Sequence, residues 1–267
     1  MIKEKIVFIG GGNMAEGIVR GLINTDTMKA EQITISELIP ERRKFLKEMY
    51  RINVTAGAAD AVKEADIIFI AVRPQNVEEC TKAIKDVLDT KKIIVSICAG
   101  IDMQRLAEWL GDDKKLVRVM PNVLIEARHG YSGVCVSRSI SDIDKETITA
   151  LLNSIGQTMF IPENLFNVFT AYSCAGPAYV MYFLAALIDA GVEAGFSRKD
   201  AADMAIENIV GSGIMVKTTG KHPYQITDTM TSPAGVTIEG CHVLSGSGFH
   251  GIVMDAVRAA VNRSNEF

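Results

Sequence analysis

The most constraining feature of the chain is a glycine turn placed directly behind an apolar run. Ile6-Val7-Phe8-Ile9 reads as a short buried strand, and Gly10-Gly11-Gly12-Asn13-Met14-Ala15 follows without a spacer. A helix is expected next, over Met14 to Ile23. In this G-x-G-x-x-A pattern the first glycine permits a tight strand-to-helix turn. The second leaves room for a pyrophosphate against the backbone, and the Ala lets helix and strand pack closely. The helix start then offers free N–H groups to phosphate. A glycine motif alone says little, but one held between a strand and a helix at the head of a βαβ pattern points to a dinucleotide site.

The rest of the first half extends that pattern. Ile33-Thr34-Ile35-Ser36 reads as a strand, followed by a helix from Pro40 to Tyr50 with Pro at its first position. Ile67 to Val72 and Ile93 to Ile97 are uninterrupted apolar runs. Strands that are apolar at every position are buried on both faces, so a parallel sheet covered by helices is expected. Val117 to Met120 and Gly133 to Val136 read as further strands, and Asp142 to Ser154 as a helix. From about Glu163 the strand signal fades. Tyr179 to Ala194, Lys199 to Thr218 and Gly251 to Arg263 read as helices. The expected fold class is therefore α/β: a dinucleotide-binding Rossmann domain over residues 1–160, then an all-helical domain over 161–267. The long apolar helices of the second part carry more apolar surface than a domain of that size buries alone, so another copy of the chain is expected to cover it.

Glu37 closes the second strand about 22 residues past Ala15, where an acidic side chain can bind the ribose hydroxyls of NAD. Arg42 and Arg43 lie close behind, and Ser36 could donate to a phosphate, so the residues leave NAD(H) and NADP(H) both open. Arg73 stands at a strand end beside Pro74, where cofactor clefts form. Glu41-Arg42-Arg43-Lys44, Lys63-Glu64 and Asp112-Asp113-Lys114-Lys115 read as solvated charge.

Composition narrows the function classes. The chain of 267 residues is 48% hydrophobic and 22% charged, with net charge -4, and its Lys and Arg are dispersed. A nucleic-acid surface would need them clustered. The five cysteines (Cys80, Cys98, Cys135, Cys174, Cys241) form no CxxC pair, and the four histidines lack metal-ligand spacing, so no metal site is expected. No uninterrupted apolar run approaches the ~18 residues of a membrane helix, so no membrane partner is expected. The odd cysteine count fits a reducing cytoplasm.

Six segments together resemble pyrroline-5-carboxylate reductases. They are Ile9 to Glu16, Ala71-Val72-Arg73-Pro74-Gln75, Ser96 to Ile101, Arg118-Val119-Met120-Pro121-Asn122, Ala175-Gly176-Pro177-Ala178-Tyr179, and Ser232-Pro233-Ala234-Gly235-Val236-Thr237-Ile238. The resemblance runs nearly end to end, and the last segment, with Arg258 beyond it, is the most specific to the family. It implies reduction of a cyclic imine carboxylate to L-proline with NADPH or NADH, by a homodimer or larger homo-oligomer assembled through the C-terminal helices. The dinucleotide would be held by Ile9, Gly10, Gly11, Gly12, Asn13, Met14, Ala15, Ser36, Glu37, Ala71, Val72, Arg73, Pro74, Ile97, Cys98, Ala99 and Thr229. Substrate would be held by Glu163, Ser232, Gly235, Val236 and Thr237, with the Thr237 hydroxyl as the catalytic group at the imine nitrogen. A helix opening at this loop, with Ser232 as N-cap and Pro233 at the first helical position, would present free N–H groups to a carboxylate.

The chain departs from the family at several points. Val123 and Leu124 replace the usual Thr-Pro after Asn122, Ala234 replaces a glycine, and Ala58 stands where an Asn is expected beside the adenosine. Two other readings stay open: reduction of a different imine or a β-hydroxy acid, and a dinucleotide-binding regulatory paralogue without turnover. A β-hydroxy acid would need a general base, commonly Lys, and no lysine stands in the Ala175 to Tyr179 or Ser232 to Ile238 segments.

Overall fold

In the computed structural model, which describes residues 2–266, the chain divides into two compact units, residues 2–174 and Ala175–Glu266. The first unit runs β1 (Ile6–Ile9), α1 (Asn13–Asn24), β2 (Ile33–Ser36), α2 (Pro40–Tyr50), β3 (Asn53–Thr55), α3 (Ala58–Lys63), β4 (Ile67–Ile70), α4 (Val77–Ile84), β5 (Ile93–Ser96), α5 (Met103–Leu110), β6 (Lys115–Pro121), β7 (Gly130–Val136), α6 (Asp142–Leu152), β8 (Gly156–Phe160) and α7 (Phe166–Phe169). Its eight strands form one sheet in the order β3-β2-β1-β4-β5-β6-β7-β8.

The continuous apolar runs have the meaning expected of them. Along β1, Ile6 and Phe8 point to one face of the sheet while Val7 and Ile9 point to the other. On the first face they join Ala15, Ile18, Val19 and Leu22 of α1, Leu46 of α2 and Ile148 and Leu151 of α6. On the second they meet Val62 of α3, Val77 and Ile84 of α4 and Leu106 and Leu110 of α5. Phe8 and Phe69, directly paired across β1 and β4, stack at 4.6 Å between ring centroids. Burying both faces of a sheet this way removes nearly all of each strand's side-chain surface from water, at ~25 cal/mol per Å² of apolar area.

Two expectations need correction here. The sheet is not wholly parallel, because β7 runs antiparallel to β6. Only the eight residues between them join the two strands, too few for the crossover that parallel pairing requires. The unit boundary also falls at Cys174, not at residue 160. Phe166 is buried with Met120 and Ile161, Phe169 and Cys174 pack beside them, and Asn122 Nδ2 donates to the Ser173 carbonyl at 3.2 Å. A helical pattern beginning near Glu163 therefore packs back onto the sheet of the first unit. β3 and α3, of three and six residues, are too short to show a period in the sequence.

The second unit contains α8 (Gly176–Glu193), α9 (Arg198–Thr219), α10 (Pro223–Met230), α11 (Val236–Gly246) and α12 (Phe249–Ser264). Among the described residues of this unit only Ala201 and Ala205 are buried. A Cβ at Gly191 of α8 would lie 2.8 Å from the Ala201 Cβ, so small residues bring α8 and α9 into close contact. Elsewhere large apolar side chains lie open: Met181, Tyr182, Ile214, Val243 and Ile252 are all more than half exposed. By length and composition, although not as an uninterrupted apolar run, Glu163–Glu193 is apolar enough to cross a membrane. The stretch is a succession of a 3-10 turn, α7, a π-helical turn over Thr170–Cys174 and α8, the last opening at Gly176-Pro177.

Candidate active site

The C-terminal edge of the sheet is where the proposed nucleotide residues meet. Strand register places Ile9 opposite Ser36 on one side and Ile70 on the other, and Ile70 opposite Ser96. The ladder continues one residue beyond each strand: Gly10 N–H donates to the Ser36 carbonyl, Ala71 N–H to Ile9, and Ile97 N–H to Ile70. Four segments far apart in sequence thus end side by side. The chain leaves β1 toward β2 on one side and reaches β4 on the other. The edge beside β1 is therefore a topological switch point, where ligands bind in open α/β sheets.

The glycine turn fits a dinucleotide. Gly10 has φ +99°, and a Cβ there would sit 2.6 Å from the Ala71 carbonyl oxygen. A Cβ on Gly12 would have no neighbour within 4 Å, so that hydrogen faces open space. Gly12 is the N-cap of α1 and no side chain caps the helix, which leaves the N–H groups of Asn13, Met14 and Ala15 for a ligand. These features suit a pyrophosphate approaching along the backbone.

The surroundings of this turn are organised by side chains. Glu37 Oε2 accepts from Gly11 N–H at 2.9 Å and Oε1 from Ile39 N–H at 3.0 Å, holding the carboxylate against the turn. Arg42 Nε donates to the Gly11 carbonyl at 2.7 Å, and its Nη2 binds the Glu16 carboxylate. Tyr50 Oη donates to the other Glu16 oxygen at 2.6 Å. Burial alone would raise the Glu16 pKa, but the bonds from Tyr50 and Arg42 outweigh it and hold the carboxyl below its ordinary value. Burial and the Glu16 charge push the Tyr50 hydroxyl up. Arg42 is therefore not solvated charge; it braces α2 against the turn. Lys115 likewise leaves the solvated group, since its Nζ pairs with the buried Asp144 at 2.9 Å.

Other expected residues fall in different places. Arg73, Pro74 and Ala99 are exposed at the sheet edge, with Ala71, Val72 and Ile97 half-buried among them. Ser36 is only 4% exposed, its side chain covered within the paired strands rather than open on the rim. Cys98 is buried, with Sγ directed at the Ile70 and Val72 carbonyls, 3.3 Å from each. Burial raises its thiol pKa. The Cys98 N–H donates to Ser96 Oγ at 3.4 Å, so of Cys98 only the backbone carbonyl is without a partner among the described residues.

Glu163 does not stand alone. Its Oε1 binds Arg118 Nη1 and accepts from Met103 N–H at 3.3 Å, while the Arg118 guanidinium lies 4.3 Å from the Phe166 ring centroid. Arg118 is 6% exposed. Among the described residues, Arg118 Nε and Glu163 Oε2 are buried without a hydrogen-bond partner. The pair joins β6 to the segment before α7. The sequence could have suggested a partner for a charged residue inside an apolar strand, because a buried guanidinium needs one.

In the second unit, Ser232 to Thr237 forms a turn and a helix start. Gly235 N–H donates to the Ser232 carbonyl at 3.0 Å, with Pro233 second and Ala234 third in the turn. The helix opens later than expected: Gly235 is the N-cap and Val236 the first helical residue, with no side-chain cap. Ala234 takes φ +56°, a left-handed conformation that favours glycine. A Cβ at Gly235 would meet Ser232 Oγ at 2.4 Å. Val236 and Thr237 are exposed beside the free N–H groups. Thr229, near the end of α10, is exposed and turns its hydroxyl back to the Ile226 carbonyl at 2.6 Å. His222 accepts from Tyr224 N–H at 3.3 Å and caps α10.

Comparison with known proteins covers both units. Residues 163–267 match the family described as pyrroline-5-carboxylate reductase dimerisation, and residues 5–100 match NADP oxidoreductase, coenzyme F420-dependent. The pyrroline-5-carboxylate reductase of Arabidopsis thaliana is 35% identical over 262 residues, 98% of this chain and 95% of that protein. The solved pyrroline-5-carboxylate reductase of Coxiella burnetii superposes with TM-score 0.95 at 28% identity, covering 99% of this chain and 98% of that one. Pyrroline carboxylate reductase of Plasmodium falciparum, solved with NADP bound, gives TM-score 0.86 at 32% identity, covering 99% and 98%. The agreement spans the glycine turn, the sheet edge and the C-terminal helices alike, and the chain belongs to the pyrroline-5-carboxylate reductase family of NAD(P)H-dependent oxidoreductases.

Proposed function

We propose that this chain reduces 1-pyrroline-5-carboxylate to L-proline, and that the reading rests above all on the family match running through both units. When bound, a reduced nicotinamide dinucleotide supplies the hydride that saturates the imine carbon. The chain's own part is to hold the reactants and manage charge. Gly10 to Ala15 and the N-terminus of α1 take the pyrophosphate, and Ala71 to Pro74 with the backbone of Ile97 to Ala99 line the adjoining strand ends. Thr229 is retained as a cofactor residue from the resemblance alone.

The uncapped start of α11 receives the substrate carboxylate on the N–H groups of Val236 and Thr237, with Ser232 and Gly235 shaping the turn beside it. The Thr237 hydroxyl bonds the ring nitrogen, which carries a proton in the reactive imine and keeps it in the product amine. A protonated imine is already electrophilic, so correct placement supplies most of the rate enhancement. Glu163 acts through Arg118 as a positioning residue, since its Oε1 is bound to that guanidinium.

The functional assembly is a homodimer, or a larger homo-oligomer, formed through the C-terminal helices in the cytoplasm. The match of residues 163–267 to a dimerisation family and the exposed apolar side chains of α8, α9, α11 and α12 support that reading. A second copy accounts for the apolar character of Glu163–Glu193 without a bilayer.

The test is oxidation of NADH and NADPH by the purified protein with 1-pyrroline-5-carboxylate. Turnover to proline is expected, and dinucleotide binding without turnover would refute the reading. Thr237→Ala should lower kcat tenfold or more, on the order of a lost catalytic hydrogen bond, and leave dinucleotide affinity within about twofold of the parent. Loss of dinucleotide affinity with kcat unchanged would remove Thr237 from its role.

A further inference from the structure

Family membership leaves the form of the dinucleotide undecided, and the residues at the end of β2 bear on it. We infer that Glu37 makes this chain selective for NADH over NADPH. The inference rests on the dinucleotide site proposed above and adds to it the chemistry of the adenosine end.

The argument begins with the carboxylate's position. Both Glu37 oxygens accept backbone N–H groups, Oε2 from Gly11 in the glycine turn and Oε1 from Ile39. The carboxylate is thereby fixed at the end of β2 beside the turn that would hold the pyrophosphate, where the adenosine ribose of a bound dinucleotide lies. Carboxylate oxygens have lone pairs to spare beyond one bond each, so they accept from the 2′ and 3′ hydroxyls of NADH. A 2′-phosphate in the same place brings two negative charges against a third that cannot swing away.

Selectivity for NADPH needs a cation to outweigh that repulsion, and the two arginines that follow Glu37 are engaged. Arg42 gives Nε to the Gly11 carbonyl and Nη2 to Glu16, with its guanidinium 5.1 Å from the Phe45 ring centroid. Arg43 gives Nη1 to the carbonyls of Glu37 and Leu38, at 2.5 and 2.9 Å, closing the loop that carries Glu37. Lys44 is exposed and only loosely paired, 4.0 Å from Glu48 on α2. Of the neutral groups, the Ser36 hydroxyl is buried, the Thr55 hydroxyl accepts from Gly57 N–H at 3.1 Å, and α3 begins at Ala58, which has no polar side chain. Leu38 and Ile39 are 80% and 57% exposed beside Glu37, an apolar surface suited to a flat adenine ring.

Direct binding separates this inference from the proposed reaction. NADH and NADPH are titrated into the intact protein without imine, following nicotinamide fluorescence, and 5′-AMP and adenosine 2′,5′-bisphosphate are compared as competitors. NADH should bind at least about tenfold more tightly than NADPH, equivalent to ~1.4 kcal/mol, and 5′-AMP should compete better than the bisphosphate. Glu37→Ser should reduce the NADH:NADPH ratio to about threefold or less, mainly by improving NADPH binding. Equal affinities, or tighter NADPH binding that Arg43→Ala abolishes, would overturn the inference. Failure of both dinucleotides to bind would overturn it together with the site itself. Selective NADH binding without imine turnover would support the inference while refuting the proposed reaction.

Discussion

Replacing Glu163 by Gln keeps the side chain's volume and removes its charge, leaving the Arg118 guanidinium without its counterion. Arg118 is 6% exposed, stacked against Phe166, and bound through Nη1 to Glu163. Breaking a buried pair from one side costs ~3–5 kcal/mol, because the surviving charge stays desolvated. The Glu163 side chain is itself 35% exposed, so water relieves part of that cost and about 2–3 kcal/mol is the expected loss. For a chain of this size each kcal/mol moves the thermal midpoint by ~2–4 °C, giving a fall of about 4–12 °C. The assay is thermal unfolding by circular dichroism at one fixed protein concentration, since an oligomer's midpoint depends on concentration. The double variant Arg118→Met, Glu163→Gln removes both charges and should recover much of the loss. In the folded Glu163→Gln protein KM for the imine should change less than about threefold, as a positioning role requires. An unchanged midpoint with KM raised tenfold or more would refute this reasoning and make Glu163 a direct substrate ligand.

Further predictions concern the turns and the cluster below the nucleotide turn. Gly10→Ala adds a Cβ 2.6 Å from the Ala71 carbonyl at φ +99°, and dinucleotide affinity should fall at least about tenfold by titration; wild-type affinity would refute the tight turn. Ala234→Gly relieves a left-handed residue at φ +56° and should stabilise by ~0.5–1 kcal/mol after the glycine's larger unfolded-state entropy is subtracted. A lowered midpoint would show that the turn gains nothing from relaxation. Because Glu16 has a depressed pKa in the folded protein, its stabilising effect is present above its unfolded value and disappears as pH falls through the folded one. Glu16→Gln should therefore be destabilising at pH 7, and the gap to the parent should begin to close only as pH falls below the ordinary carboxylate range of about 4.3 toward the lower folded value. Parallel curves down to pH 3 would rule out the linkage.

The sequence by itself determined what depends on neighbouring residues. The G-x-G-x-x-A turn, the apolar strands before and after it, and the Pro40 to Tyr50 helix follow from local backbone freedom and short-period patterning, and the structure places them where those rules do. The family segments add the Ser232 to Thr237 turn, whose helix start moves to Gly235 because Ala234 takes the left-handed place in the turn.

Tertiary structure decided everything that depends on who meets whom. Glu16 finds Arg42 and Tyr50 across 26 and 34 residues of chain, and Arg118 finds Glu163 across 45. No local period encodes such a pairing, so Arg42 reads as solvent-facing charge, and Arg118 and Glu163 as unrelated residues, until the sheet brings their partners in. Burial of Ser36 likewise comes from its position in a paired strand, and the unit boundary at Cys174 from the packing of Phe166 against Met120 and Ile161. The glycine turn marks a dinucleotide site from sequence. The fixed carboxylate of Glu37 and the engaged arginines around it, which bear on which dinucleotide enters, exist only once the chain has folded.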